Sequence, residues 1–197
     1  VLSKRTKWVY VLSDLVDDDA PQPGDGNVVS LREYDVDPSG QELNTYEIQK
    51  AIIDVATGPD AGGALYVPEG VYKTGTLDLY SDVTLYLAPG AVLQASEDPQ
   101  DFPLPFGPEY GDRRDYDHDD DVPPGPPGRD YGYDYALLKV HDVSDVAVKG
   151  PGILDAGGGQ NGRLKIIHVE NAEDLHFEDV TLRNGHGWMF PILDAEH

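Results

Sequence analysis

The spacing of apolar residues near position 50 predicts one amphipathic helix. Four apolar residues recur with the period of a helix: Ile48, Ala51, Ile52 and Val55. Asn44 is the predicted N-cap, Glu47 three residues later completes a capping box, and Gly58 ends the helix. Because only one face of this helix is apolar, we expect it to lie against another element.

A different rhythm follows the helix. From residue 64 onward, short runs of β-branched and aromatic residues are separated by Gly, Pro, Asn and Asp, which is typical of strands joined by tight corners. The first five predicted strands are 64–67, 71–73, 76–79, 83–87 and 91–94. No further segment of useful length has the helical period, so the rest of the chain is predicted to be strand and loop.

The second half of the chain resembles itself at a spacing of 29 residues. Three pairs that align at this spacing are Val140 with Val169, Asp145 with Asp174, and Asp155 with Asn184. Residues 81–85 also match residues 144–148, at a spacing of 63. Repeats of about 20 to 30 residues, each with two or three strands, are typical of a solenoid whose coils bury their inward side chains on one another.

These patterns predict an all-β fold, a parallel β-helix with an N-terminal capping α-helix. A β-sandwich is the alternative, because short strands at regular spacing suit it as well. The helix favours the β-helix, since the open end of a stack exposes backbone and apolar side chains that an amphipathic helix covers. We expect residues 1–27 to be an extension or linker, and residues 28–197 to be the first coils of a β-helix truncated at its C-terminal end.

Charge and composition exclude several functional classes. The chain of 197 residues has 14 Lys and Arg against 37 Asp and Glu, a net charge of −23. Nucleic acid and anionic membranes need clustered basic residues, so we expect neither as a partner. Zero cysteines exclude disulfides, thiol catalysis and thiolate metal sites. The acid excess is typical either of adaptation to high salt or of an ordinary acidic secreted protein.

Several runs resemble the opening of pectin-degrading β-helix enzymes. The runs that carry the likeness are residues 44–52, 62–72, 77–87, 90–93, 148–155 and 180–184, the last followed by Trp188. Residues 148–155 read Val-Lys-Gly-Pro-Gly-Ile-Leu-Asp, similar to the first complete coil of those enzymes. The chain thus resembles the polygalacturonase family, glycoside hydrolase family 28, within the pectin lyase-like superfamily.

The resemblance implies a right-handed β-helix and an extracellular, inverting hydrolase that acts on α-1,4-linked galacturonan without a cofactor. No signal peptide is visible at the start of the chain. In that family the catalytic Asn-Thr-Asp, Asp-Asp, Gly-His-Gly and Arg-x-Lys segments follow the strand that here carries Trp188. We therefore expect the catalytic carboxylates beyond residue 197, in a C-terminal half, and we expect this chain alone to be inactive.

Three residues near the end of the chain are candidate substrate-binding residues: Arg183, His186 and Trp188. An arginine pairs with the carboxylate of a uronic acid, and a tryptophan stacks on a sugar ring. Gly185-His186-Gly187 spells the catalytic tripeptide of the family but precedes its other motifs, which favours a tight corner. Core packing of Trp188 and a surface ion pair of Arg183 are the structural alternatives.

Two acidic stretches invite comparison with calcium loops, and neither fits. Residues 117–121 are followed by Val122 where the loop needs Gly, and the stretch starting at Asp35 places Tyr46 where it needs Glu. No metal and no cofactor are therefore expected. Residues 103–135, rich in Pro, Gly, Tyr and Asp, are predicted to form a long loop between strands. If this loop borders the substrate, the candidate sugar contacts are Tyr110, Arg113, Arg114, Tyr131 and Tyr133.

Two other functions remain open at this point. A polysaccharide lyase of the same architecture would need calcium and a basic proton acceptor, and it would leave an unsaturated product that absorbs in the ultraviolet. A non-catalytic β-helix would bind carbohydrate without cleaving it.

Overall fold

A computed structural model describes residues 20–58, 62–102, 136–157, 164–185 and 189–196. The predicted loop 103–135, with its five candidate sugar contacts and the acidic run 117–121, lies outside the described residues. So do residues 1–19 of the predicted extension. No helix in the described part of the chain has the length and apolar character needed to cross a membrane.

The described residues form one α-helix, twelve strands and two short 3-10 turns. Helix α1 is Thr45–Thr57, and the turns are Leu31–Glu33 and Pro99–Asp101. The strands are β1 (Val28–Ser30), β2 (Ser39–Leu43), β3 (Ala64–Val67), β4 (Gly70–Thr74), β5 (Leu77–Asp78), β6 (Thr84–Leu87), β7 (Ala91–Ala95), β8 (Ala136–Lys149), β9 (Ile153–Asp155), β10 (Lys165–Glu178), β11 (Thr181–Arg183) and β12 (Ile192–Glu196).

The strands stack into three faces, which we call A, B and C. Face A consists of β1, β3, β6 and the second halves of β8 and β10. Face B has the order β2, β4, β7, β9 and β11. Face C consists of β5, the first halves of β8 and β10, and β12. Every described pair is parallel, which confirms the predicted parallel β-helix and excludes the sandwich, whose sheets are antiparallel.

Strands β8 and β10 each turn a corner between face C and face A without ending. The corners are made by residues with left-handed backbone, Asp142 and Asp145 in β8 and Asn171 and Asp174 in β10, with φ between 49° and 56°. Asp and Asn tolerate this conformation better than other side chains do. Val169 lies opposite the valine at position 140, so the predicted spacing of 29 is confirmed along these strands.

The spacing changes by one residue on face B, which corrects the predicted alignment. Asp155 of β9 lies opposite Arg183 of β11, at a spacing of 28, and not opposite Asn184. The corner before β9 contains residues 150–152, whereas the corner before β11 contains only residues 179–180. The shorter corner brings β11 into register one residue earlier.

The corner before β9 depends on glycine. Gly150 has a φ of 96°, and a Cβ added there would lie 2.4 Å from the carbonyl oxygen of Leu87 on the preceding coil. The N–H of Gly152 donates a hydrogen bond to the same carbonyl at 3.2 Å. A side chain at position 150 would therefore push two coils apart.

Helix α1 has the predicted bounds and apolar face, but not the predicted capping box. Its four periodic apolar residues are all buried, and Gly58 is its C-cap. Asn44 occupies the N-cap position, yet its side chain makes no capping hydrogen bond. Its Oδ1 instead accepts from the N–H of Asp37 at 2.6 Å, and its Nδ2 donates to the carbonyl oxygens of Asp37 and Glu42. A tertiary contact has replaced the local cap.

The helix closes the first end of face C. It packs on β1, β3 and β5, and its side chains complete hydrogen bonds of the backbone at this edge. Gln49 donates to the carbonyl oxygen of Asp78 at 3.0 Å and accepts from the N–H of Asp78 at 2.8 Å. Thr45 accepts from the N–H of Gly75 at 2.7 Å. The side chain of Gln49 thus takes the place of a neighbouring strand beside β5.

The core fills the space between the three faces. It contains the apolar face of α1 and Leu31 of the first 3-10 turn. It also contains inward residues of nearly all strands, such as Leu65, Leu93 and Leu154. Several apolar residues of the last described coil are only partly buried. The partly buried residues of this last coil are Leu175, Phe177, Val180, Leu182 and Phe190.

Candidate functional site

The described member of the predicted substrate-binding set, Arg183, lies at the end of β11 on face B. His186 and Trp188 lie outside the described residues. Arg183 Nε and Nη2 donate to Oδ2 of Asp155 at 3.0 and 2.5 Å. The side chain of Arg183 is 47% exposed, whereas that of Asp155 is 3% exposed. Arg183 therefore forms an ion pair between consecutive coils, and about half of its side chain is exposed to solvent.

Asp155 is the centre of a cluster that also contains Arg183, Asn184 and Gly157. Its Oδ1 accepts from Asn184 Nδ2 at 2.7 Å and from the N–H of Gly157 at 2.9 Å. Burial raises the pKa of Asp155, but the hydrogen bonds from Gly157, Arg183 and Asn184, with the charge of Arg183, outweigh burial and leave the pKa below its ordinary value. Asp155 therefore remains ionised and fully engaged at neutral pH.

The contacts between Asp155 and Arg183 suit the anchoring of one coil to the next and the binding of an anion by Arg183. They do not suit the donation of a proton by Asp155. A general acid in a glycosidase needs a carboxyl group whose pKa is raised. Two other described carboxyl groups with a shifted pKa, Asp37 and Glu178, are also shifted downward. For Glu178 the first cause is the hydrogen bond with His176, followed by the contact with Lys149. None of these three carboxyl groups has the electrostatics of an acid catalyst.

The loop that begins at Asp35 explains why an acidic run need not bind calcium. Asp37 accepts hydrogen bonds from the N–H and hydroxyl of Ser39 and from the N–H groups of Gln41 and Glu42. These bonds, led by that of the Ser39 hydroxyl, lower the pKa of Asp37 to about 2. Both carboxylate oxygens are thus used by the protein itself.

A groove of about 330 Å³ lies beside the first strands of face A. Its lining includes Tyr66, with Arg32 and Glu69 at its charged positions. The ring of Tyr66 stacks on Tyr86 of the next coil, with centroids 5.7 Å apart. The lining of the groove thus includes one aromatic ring and one charge of each sign.

A group of two histidines and one glutamate lies on the outer side of face C, and the sequence analysis did not identify it. His141 of β8 lies opposite Glu170 of β10, and His168 precedes Glu170 by two residues on the same side of the strand. His141 Nε2 and His168 Nδ1 are 3.0 Å apart, and the ring planes meet at 79°. One ligand atom from each of the three residues lies within 4.8 Å of the others. Among the described residues, this group has the composition and spacing to hold a metal ion.

The spacing of 29 residues is the signal that would have found this cluster. It places His141 opposite Glu170, and the strand period of two then places His168 beside them. The apolar pattern around these residues concealed them, since it predicts only which residues point inward.

Comparison with proteins of known sequence gives two polygalacturonase relatives, while no family model matches the chain. A probable polygalacturonase of Vitis vinifera is 32% identical over 164 residues, which cover 76% of this chain and 30% of the grapevine protein. An exo-poly-α-D-galacturonosidase of Dickeya chrysanthemi is 43% identical over 76 residues, which cover 39% of this chain and 12% of that enzyme. The chain thus spans less than a third of the length of either relative.

Comparison with solved structures confirms the fold. The family 28 exopolygalacturonase of Yersinia enterocolitica superimposes with a TM-score of 0.58 at 20% identity, over 80% of this chain and 34% of that enzyme. The predicted right-handed parallel β-helix is confirmed, and so is the predicted resemblance to polygalacturonases.

Proposed function

Because the chain is a relative of polygalacturonases, we propose that the protein to which it belongs is a glycoside hydrolase that cleaves α-1,4-linked galacturonan. The observation that carries this proposal is the 32% identity to a polygalacturonase over 76% of the chain. The capped parallel β-helix agrees with it, although the fold alone does not determine the reaction.

In this proposal the described coils support the enzyme and do not perform the chemistry. An inverting glycosidase needs a general acid and a general base about 6.5 to 9.5 Å apart. Asp155, the buried acid at a coil junction, is occupied by Arg183, Asn184 and Gly157. We propose that the catalytic carboxylates lie beyond residue 197, as the resemblance to the polygalacturonase family implies.

We also propose that Arg183, His186 and Trp188 contact the substrate. Support for Arg183 comes from its half-exposed side chain, whose guanidinium donates to Asp155 through two nitrogen atoms. A guanidinium fixed in this way is suited to the carboxylate of a uronic acid.

The charge of the chain bears on where such an enzyme works. A net charge of −23 repels a polyanionic substrate at low ionic strength. We propose that the protein acts outside the cell and in high salt, where the Debye length falls to about 3 Å at 1 M and the repulsion is screened.

The proposal is tested by product analysis with polygalacturonate as substrate. The natural protein that contains this chain is expected to release new reducing ends without ultraviolet-absorbing unsaturated ends. The 197-residue chain alone is expected to release none. Unsaturated ends would show a lyase, and binding without new ends would show a carbohydrate-binding protein; either result overturns the proposal.

A further inference from the structure

We propose that His141, His168 and Glu170 form a binding site for a divalent transition metal of the Zn²⁺ type on the outer side of face C. This inference is independent of the proposed reaction. It rests on the positions of three ligand side chains that the parallel register brings together from two coils.

The geometry of the two imidazoles suits a shared ion. In a tetrahedral zinc site, ligand bonds of about 2.0 to 2.1 Å place two nitrogen atoms about 3.3 Å apart. The observed distance between His141 Nε2 and His168 Nδ1 is 3.0 Å, so an opening of a few tenths of an ångström admits the ion. The rings are nearly perpendicular, with centroids 4.7 Å apart, so the two imidazoles approach edge to face and not as a parallel stack.

Glu170 supplies the third ligand because of the register between β8 and β10. Glu170 lies directly opposite His141 in the register, and one of its carboxylate oxygens lies within 4.8 Å of one ring nitrogen of each histidine. Rotation of this partly buried side chain brings the carboxylate into the coordination sphere. Two histidines and one glutamate are also a ligand set of catalytic zinc sites, in which a fourth position remains open.

Burial, charge and the type of ligand atom all affect which ion could bind at this site. His168 is 1% exposed, whereas His141 and Glu170 are partly exposed and leave a path for entry. Lys139, which is 7% exposed, lies opposite His168 in the ladder, and its charge opposes any cation nearby. Hard ions such as Ca²⁺ and Mg²⁺ prefer oxygen ligands and are therefore disfavoured. Zn²⁺, Co²⁺, Ni²⁺ and Cu²⁺, which bind imidazole nitrogen strongly, are favoured.

The same strand supplies a matched control. His176 and Glu178 of β10 repeat the His-x-Glu spacing, and their side chains are in contact at 2.9 Å. This pair lies on face A and is exposed, with Lys149 as its neighbour on β8. Lys149 lies opposite Glu178, as His141 lies opposite Glu170. This pair therefore has one histidine and one carboxylate but lacks the second histidine.

The test is titration of the full-length, chelator-treated protein with Co²⁺ and Zn²⁺, followed by visible absorption and calorimetry. We expect one equivalent of Co²⁺ to give the visible bands of a four- or five-coordinate ion, and Zn²⁺ to displace it. His141→Gln and Glu170→Gln should each weaken binding at least about tenfold. His176→Gln and Glu178→Gln should leave it unchanged.

His168→Gln should abolish the bands, but this buried residue could be needed for folding. The partly exposed positions 141 and 170 keep the test decisive, and circular dichroism of each variant shows that the fold is intact. Absence of Co²⁺ bands in the parent protein, or equal weakening by the His176 and Glu178 variants, would overturn the proposal. In that case the 3.0 Å contact is a hydrogen bond between two imidazoles and nothing more.

Discussion

At the scale of single residues, Asp155 connects two coils of the stack. It is buried at the end of β9, and its carboxylate accepts hydrogen bonds from three residues, two of them on β11 or directly after it. Such a carboxylate stabilises the fold through the donors that it satisfies, and its loss leaves Arg183 without its partner.

We predict that Asp155→Asn lowers the free energy of unfolding by about 1 to 3 kcal/mol. The amide keeps the shape of the side chain but removes the charge, and its NH₂ group cannot accept from the arginine. Denaturant unfolding measures the loss. The matched control is Asp174→Asn at an exposed corner with a φ of 51°, where Asn is equally suited and a change below about 0.5 kcal/mol is expected. Equal losses in the two variants would contradict this role of Asp155.

The stability of the protein should depend on the protonation of Asp37. The unfolded chain protonates this residue near its ordinary pKa of 3.8, and the folded chain does so at about 2. The unfolded state therefore binds more protons between these values, and the stabilisation from Asp37 is present above about pH 4 and lost towards pH 2. Asp37→Asn should destabilise the protein at about pH 5 and have little effect near pH 2. A cost that is the same at both pH values, measured by denaturant midpoints, would contradict the assignment.

At the scale of elements, helix α1 substitutes for a strand at the edge of face C. Its apolar face fills the end of the core, and Gln49 pairs with both backbone groups of Asp78. The open end of a β-helix is a template for aggregation, so this pairing protects the protein as well as stabilising it.

Gln49→Ala is predicted to lower the free energy of unfolding by about 1 to 2 kcal/mol, because two backbone groups of β5 lose their partner. Gln49→Glu keeps the acceptor and loses the donor, so its effect should be intermediate. Tyr46→Ala on the same helix, at a side chain that is 74% exposed, is the control and should change little. Equal losses of stability in the Gln49 and Tyr46 variants, measured by thermal and denaturant unfolding, would contradict the capping role.

Much of this element structure follows from the sequence because burial imposes a period. The apolar face of α1 and the strand 64–67 agree with the structure residue for residue. Strand β2 has mostly exposed side chains and carries no such pattern, so its pairing with β4 was not predicted. The shift from a spacing of 29 to 28 arises from the length of one corner, which apolar periodicity does not report.

The candidate sites were harder to predict than the fold. Arg183 was identified as a candidate, but its partner was not, because Asp155 was aligned with Asn184. The cluster at His141 was missed because its members are polar residues that alternate with the core-facing ones and come from different coils. The lost capping box at Asn44 has a similar cause, since a tertiary hydrogen bond with Asp37 competes with the local one. In the first two cases the deciding contact joins residues of successive coils. At Asn44 it joins residues seven positions apart, which lies outside the range of a local cap.

At the scale of the whole molecule, the acid excess should couple stability to salt. With a net charge of −23, we predict that NaCl raised from about 0.1 to 1 M increases the free energy of unfolding, as the Debye length falls from about 10 to 3 Å. The control is the same titration near the isoelectric point of about 4.2, where the effect should shrink. Equal salt responses at pH 4.2 and pH 7, measured by denaturant unfolding, would contradict an electrostatic origin.

The inverting reaction that we propose has a stereochemical consequence that can be measured. Proton NMR during the first minutes of galacturonan cleavage by the natural protein measures the anomeric form of the new reducing end directly, before mutarotation. An inverting hydrolase acting on an α-linkage produces the β-anomer first, and this is the result that we predict. Initial release of the α-anomer, or of an unsaturated sugar, would show that the protein is not an inverting galacturonan hydrolase.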